Sequence, residues 1–189
     1  MERLESTPRF TPELQALTSL FYESAQALGN FQEVKADAIP LLYRRLLAHD
    51  QHMTVTVESH HGCPVDVQVL SAQTFGDLYA RKILLTRQRD GAVVQFGIVR
   101  LNLAFLPTDA RREIEAQHTP LGHVLIQHNI LRNVRLLSLW RIDPSPELCR
   151  LLELARPETC YGRTALIYCN GVPAVELLEI VTPDTQRVP

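Results

Sequence analysis

Lysine is nearly missing from these 189 residues: Lys35 and Lys82 stand against 17 arginines. GC-rich codon usage produces such a ratio, and so does a need for bidentate guanidinium clamps on carboxylates. No stretch approaches the roughly 18 uninterrupted apolar residues of a membrane-spanning helix, and the start, Met1-Glu2-Arg3-Leu4-Glu5, lacks the apolar core of an export signal. A cytoplasmic location is expected. Charge of one sign is also missing. The formal net charge of −2 gives no field to draw nucleic acid or an anionic membrane. The four cysteines, Cys63, Cys149, Cys160 and Cys169, form no CxxC pair and read as reduced thiols. Seven histidines include His49, His52, His60 and His61 near Cys63, but their spacing fits no zinc template. No metal site is expected, and these histidines are read as solvated loop or edge-strand residues.

What is present is a change of period along the chain. Thr11-Pro12-Glu13 reads as a helix start, followed by Leu14, Leu17, Leu20 and Phe21 at helical spacing and stopped at Gly29. A second helix is expected from Asp37 to His49. From Met53 the pattern alternates: strands are expected over Met53–Glu58 and Val65–Leu70 around a turn at His60-His61-Gly62-Cys63. Further strands are expected over Tyr79–Arg87 and Val93–Phe105, turning at Arg89-Asp90-Gly91. Thr108 is read as the cap of a helix to Gln117, and Pro120 as the start of another to about His128. A strand over Val134–Ile142 and a helix over Ser145–Ala155 precede a last hairpin, Arg163–Cys169 with Pro173–Val181, whose Asn170-Gly171 is a strong turn signal. Only the tail after Thr182 reads as loose. Repeats, low-complexity segments and a βαβ rhythm are all missing. The expectation is an α+β fold: a single antiparallel sheet of about six strands with helices over it. It spans residues 1–189 as one domain, with N-terminal helices over 1–50 and a sheet with lid helices over 51–183.

Two charged residues fall on faces that should be apolar. Alternation groups Arg81 with Tyr79, Ile83 and Leu85, and Glu179 with Val175, Leu177 and Val181; Glu176 points the other way. A guanidinium and a carboxylate among apolar neighbours need partners. They pair with each other, or lie on a solvated face, or look into a ligand pocket, where an arginine suits a small anion and a carboxylate suits proton handling or a hydroxyl contact.

At these residues the chain resembles the chorismate pyruvate-lyase (4-hydroxybenzoate synthase) family, which shares its fold with effector-binding domains of some transcription regulators. Four stretches carry the resemblance, in order: Met53-Thr54; Arg81-Lys82-Ile83-Leu84-Leu85; Thr119-Pro120-Leu121-Gly122; and Tyr161-Gly162-Arg163 with Asn170-Gly171-x-Pro173 and Glu179-x-x-x-Pro183. The final hairpin is one residue longer than in the enterobacterial enzymes, and the stretch from Ile142 to Thr159 is longer than in the best-known members. The resemblance implies elimination of pyruvate from chorismate to give 4-hydroxybenzoate, without metal or organic cofactor. Arg81 would clamp a ligand carboxylate, Met53 and Leu121 would wall the pocket, and Glu179 would be the acid–base group at the ether or hydroxyl end. The alternative is a non-enzymatic module of the same fold that binds an aromatic carboxylate effector, or a lyase for a chorismate relative. About fifty residues precede the first expected strand, fewer than a winged helix with its linker needs, so a DNA-reading unit is not expected. The partners expected are therefore chorismate and 4-hydroxybenzoate, with neither nucleic acid nor membrane.

Overall fold

The computed structural model describes residues 14–130 and 132–183. Its centre is one antiparallel sheet of seven strands. In chain order these are β1 (Gly29–Val34), β2 (Val65–Phe75), β3 (Leu78–Arg87), β4 (Val93–Asn102), β5 (Arg132–Pro144), β6 (Cys160–Cys169) and β7 (Val172–Val181). Across the sheet the order is β1-β5-β6-β7-β4-β3-β2. The hairpins β2–β3, β3–β4 and β6–β7 lie side by side, and β7 closes on β4, so the last strand sits in the middle, covered on both faces.

Among the described residues six α-helices accompany this sheet: α1 (Leu14–Thr18), α2 (Leu41–Leu47), α3 (Met53–His61), α4 (Thr108–Ala116), α5 (Leu121–Gln127) and α6 (Pro146–Leu151). Period-two alternation sends Leu84, Phe96, Ile98, Leu178 and Ile180 to one face, where Leu17 of α1 and Leu148 and Leu151 of α6 cover them. The neighbours Ile83, Leu85, Val99, Val175 and Leu177 point to the other face, under α2 to α5. Each such fully buried aliphatic or aromatic side chain contributes about 1.5–3 kcal/mol. Among the described residues no helix is long and apolar enough to cross a membrane.

The sheet class and the hairpins over 79–105 and 163–181 agree with the sequence reading, while the hairpin expected over 53–70 and several other elements depart from it. Residues 1–50, expected to be helical, contain a seventh strand, β1, which pairs with β5. The first helix ends at Thr18 rather than Gly29, and its expected start at Thr11 lies outside the described residues, as does the tail beyond residue 183. Proline at position 40 divides the second expected helix into a 3-10 turn, Ala36–Ala38, and α2. The largest departure is Met53–Glu58, which is the first part of α3, not a strand. Thr54-Val55-Thr56-Val57 has the β-branched composition of a strand, but the residues it buries, Met53, Thr54 and Val57, follow a helical interval. Gly62, expected in a turn, instead caps α3 at φ 58°, and Val65 N–H donates to Glu58 Oε1 at 3.1 Å. Thr108 is the first residue of α4 and supplies no side-chain cap, whereas Ser145 caps α6 by accepting from Leu148 N–H at 3.2 Å.

Gly162 marks where the sheet tolerates no side chain. A Cβ built there stands 2.7 Å from the main-chain oxygen of Glu179 and 3.1 Å from Ile180 Cγ1. Gly162→Ala is expected to lower stability by about 1–3 kcal/mol, the usual cost of overpacking, read as a shift of the urea unfolding midpoint. An unchanged midpoint would contradict the β6–β7 register.

Candidate ligand-binding site

Three rows of side chains cross the face of the sheet under α3 and α5. Arg81 on β3 stands beside Val99 on β4, which stands beside Leu177 on β7. The next row runs Ile83, Gly97, Glu179 and then Arg163 on β6. The third runs Leu85, Gln95, Val181 and Tyr161. The roof comes from His52, Met53 and Thr54 at the start of α3 and from Pro120, Leu121 and Gly122 at the start of α5. Floor and roof border a narrow cavity with about 40 Å³ of free space, well below the usual size of a small-molecule site, so a ring-sized ligand enters only if the roof shifts. The two roof helices approach closely because Gly122 has no side chain: a Cβ there would lie 2.9 Å from Thr54 Oγ1.

Arg81 is 1% exposed, yet its Nε and Nη1 have no hydrogen-bond partner among the described residues. Burial pulls its pKa below the ordinary arginine value, and the Tyr79 side chain, hydrogen-bonded to it, pushes back. That hydroxyl in turn accepts from Gln117 Nε2 at 3.2 Å. Arginine remains charged under such conditions, so the cavity lining includes a cation with two donors unpartnered among the described residues. Desolvation makes this costly by itself. Nε–H and Nη1–H point to opposite edges of the guanidinium, so a carboxylate arriving at either edge would supply one of the missing acceptors in a charge-assisted contact.

Glu179 is bound differently. Its Oε2 accepts from Nε of Arg163 at 2.7 Å, and Arg163 is fully buried. The other donors of Arg163 go to main-chain oxygens: Nη1 to His49 at 2.9 Å and Leu47 at 3.4 Å, Nη2 to Gln51 at 3.0 Å. One guanidinium therefore fixes the Glu179 carboxylate and also holds the 47–51 connection that leads to Met53 at the roof. Glu176 belongs to the opposite face, where Arg100 grips it with two hydrogen bonds, Nη2 to Oε1 at 2.9 Å and Nε to Oε2.

Met53, Arg81, Leu121 and Glu179, the four residues singled out from the sequence, all line this cavity. Of the pairings left open by alternation, the structure selects Arg163 rather than Arg81 as the partner of Glu179. Arg163 belonged to the Gly-Arg stretch but carried no role, although β6 alternation with Ala165 and Ile167 already placed a cation on the inner face. Gln95, to which the sequence reading assigns no role, alternates with Gly97 and Val99 on β4 and lines the cavity. His52, read as a solvated histidine, instead lines the cavity with an Nε2 that has no partner among the described residues. Burial, with Arg132 and Arg163 nearby, pushes its pKa down to about 4. Among the described residues no three His, Cys, Asp or Glu side chains form a metal-binding group.

No family model matches the chain, and no curated protein matches it. Solved structures do. The effector domain of PhnF from Mycobacterium smegmatis superposes with a TM-score of 0.51 at 13% identity, covering 71% of this chain and 90% of that one. PhnF itself gives 0.49 at 13% identity over 70% of this chain, which spans only 64% of the PhnF chain. The C-terminal domain of the histidine utilization repressor from Pseudomonas syringae pv. tomato gives 0.45 at 14% identity, over 66% of this chain and 96% of that one. At these identities the likeness is one of fold: an α+β architecture on a single antiparallel sheet.

His52 generates a pH prediction. Its folded pKa of about 4 lies below the ordinary 6.5, so between those values the unfolded chain binds the proton and the folded one does not. This residue's contribution therefore leaves stability unchanged above pH 6.5, lowers it as pH falls toward 4, and levels off below. Unfolding midpoints of wild type and His52→Gln, measured from pH 7 to pH 4, are expected to separate in that window, with wild type the more acid-sensitive. Parallel curves would show that His52 titrates normally in the fold.

Proposed function

We propose that this protein binds a small cyclic carboxylate in the cavity beneath α3 and α5, with Arg81 as the clamp on the carboxylate. The observation that carries the proposal is that Arg81 lines the cavity, is 1% exposed, and has Nε and Nη1 without hydrogen-bond partners among the described residues. The apolar wall of Met53, Ile83, Val99, Leu121 and Leu177 suits a flat ring, and the main fixed carboxylate, Glu179, is already engaged by Arg163. A binding module is the use that this fold supports most directly, since the PhnF domain it resembles is an effector domain. That support is an analogy between folds.

The lyase reading takes one further step and has its own support: Met53, Arg81, Leu121 and Glu179, carried over from the chorismate pyruvate-lyase family, come from four separate segments and line one cavity. In this reading Arg81 fixes the ring carboxylate of chorismate and the walls keep water out. The ring loses the proton on its hydroxyl-bearing carbon, the ether bond to the neighbouring carbon breaks, and enolpyruvate leaves and ketonises to pyruvate. The ring becomes aromatic 4-hydroxybenzoate. Glu179, held by Arg163, stands at the end where the proton moves. No metal or cofactor enters this balance.

One experiment with two readouts tests both. Titration calorimetry is expected to show 4-hydroxybenzoate binding to wild type, with Arg81→Met weakening it by about 10- to 100-fold, the value of a charge-assisted contact. Equal affinity for both proteins would overturn the clamp. Incubation with chorismate then separates the uses: 4-hydroxybenzoate and pyruvate formed in equal amounts support the lyase, and tight binding without turnover supports the effector module.

A further inference from the structure

Gln95 is a polar side chain with no evident structural reason to be where it is. It lies 3% exposed on β4, between the apolar positions Leu85 and Val181 of its neighbours, and lines the cavity. Its Oε1 is buried and has no hydrogen-bond partner among the described residues. A methionine or leucine would fill the same volume without stranding an acceptor in an apolar surrounding. Groups of this kind are retained where a ligand completes them.

Position decides what that ligand group is. Arg81 shares its row with Val99, and Gln95 lies four residues further along the same strand, about 13 Å of extended chain. Gly97 lies between them, so no side chain of β4 fills the middle of the floor. A ring held by its carboxylate at Arg81 therefore presents its opposite edge toward Gln95. Glu179 borders the same middle row, but its Oε2 is taken by Arg163.

We infer that Gln95 is a specificity-determining residue of this cavity, accepting a hydrogen bond from an uncharged donor, a hydroxyl, on the ligand edge opposite the carboxylate. This rests on the binding reading above and narrows it: the ligand class is a hydroxylated ring monocarboxylate rather than a plain one. A pocket that supplies a buried acceptor discriminates strongly against an analogue without the hydroxyl, because the acceptor is then left unpaired in the complex.

Calorimetric titration of benzoate and 4-hydroxybenzoate into wild type and Gln95→Met tests it. Wild type is expected to bind 4-hydroxybenzoate at least about tenfold tighter than benzoate. In Gln95→Met that ratio is expected to fall to near one, with benzoate affinity held. A wild type without preference overturns the inference and needs no variant to show it. A preference that survives in Gln95→Met also overturns it and assigns the hydroxyl to Glu179, leaving the Arg81 clamp intact. Binding of neither compound to wild type removes the binding reading itself, and this inference with it.

Discussion

A guanidinium enclosed by protein, with Nε and Nη1 unpartnered among the described residues, is the constraint around which this molecule is organised. Arg81 reaches that state because β3 has no freedom to turn it outward: Tyr79, Ile83 and Leu85 share its face and belong to the buried core. The register that buries these three therefore buries the cation as well. Its neighbours in the row, Val99 and Leu177, offer no acceptor. Stability alone gives little reason to keep such a group, since apolar replacements of buried charges are commonly neutral or favourable. A requirement for an anion gives a direct one.

The second arginine shows the contrast. Arg163 is equally buried, but its donors are matched by Glu179 and by three main-chain oxygens of the 47–51 connection. It is a structural cross-brace between the sheet and the roof, and it fixes the carboxylate nearest the middle of the cavity. Two guanidinia on one face thus differ: one is saturated by the protein, and the other has two nitrogens without partners among the described residues. Their difference lies in local acceptors rather than in burial.

How much of this was legible in the sequence depends on the range of the signal. The last hairpin was read correctly because Asn170-Gly171 favours the left-handed backbone that both residues adopt, at φ 51° and 83°. The inward faces of β3 and β7 followed from period-two alternation, which is local. Met53–Glu58 was misread because its threonines and valines favour strands, while its helical state is set by contacts far along the chain: Gly122 of α5 against Thr54, and His123 Nε2 with Glu58 Oε2 at 3.0 Å. Strand β1 was missed for the same reason, since its ladder with β5 joins residues more than a hundred positions apart. The site was half legible. Alternation exposed Arg81 and Glu179 as misplaced charges, but the choice of Arg163 as partner is a cross-strand fact that no single segment contains.

The lyase reading and the binding-module reading proposed above share one cavity and differ on what happens inside it. Both require that a carboxylate dock on Arg81. A crystal structure with 4-hydroxybenzoate tests that requirement most directly. The account predicts a ligand carboxylate oxygen about 2.7–3.0 Å from Arg81 Nε or Nη1, with the ring between Leu121 and Gly97. A ligand bound elsewhere, or an Arg81 whose two nitrogens are satisfied by protein oxygens instead, would contradict it.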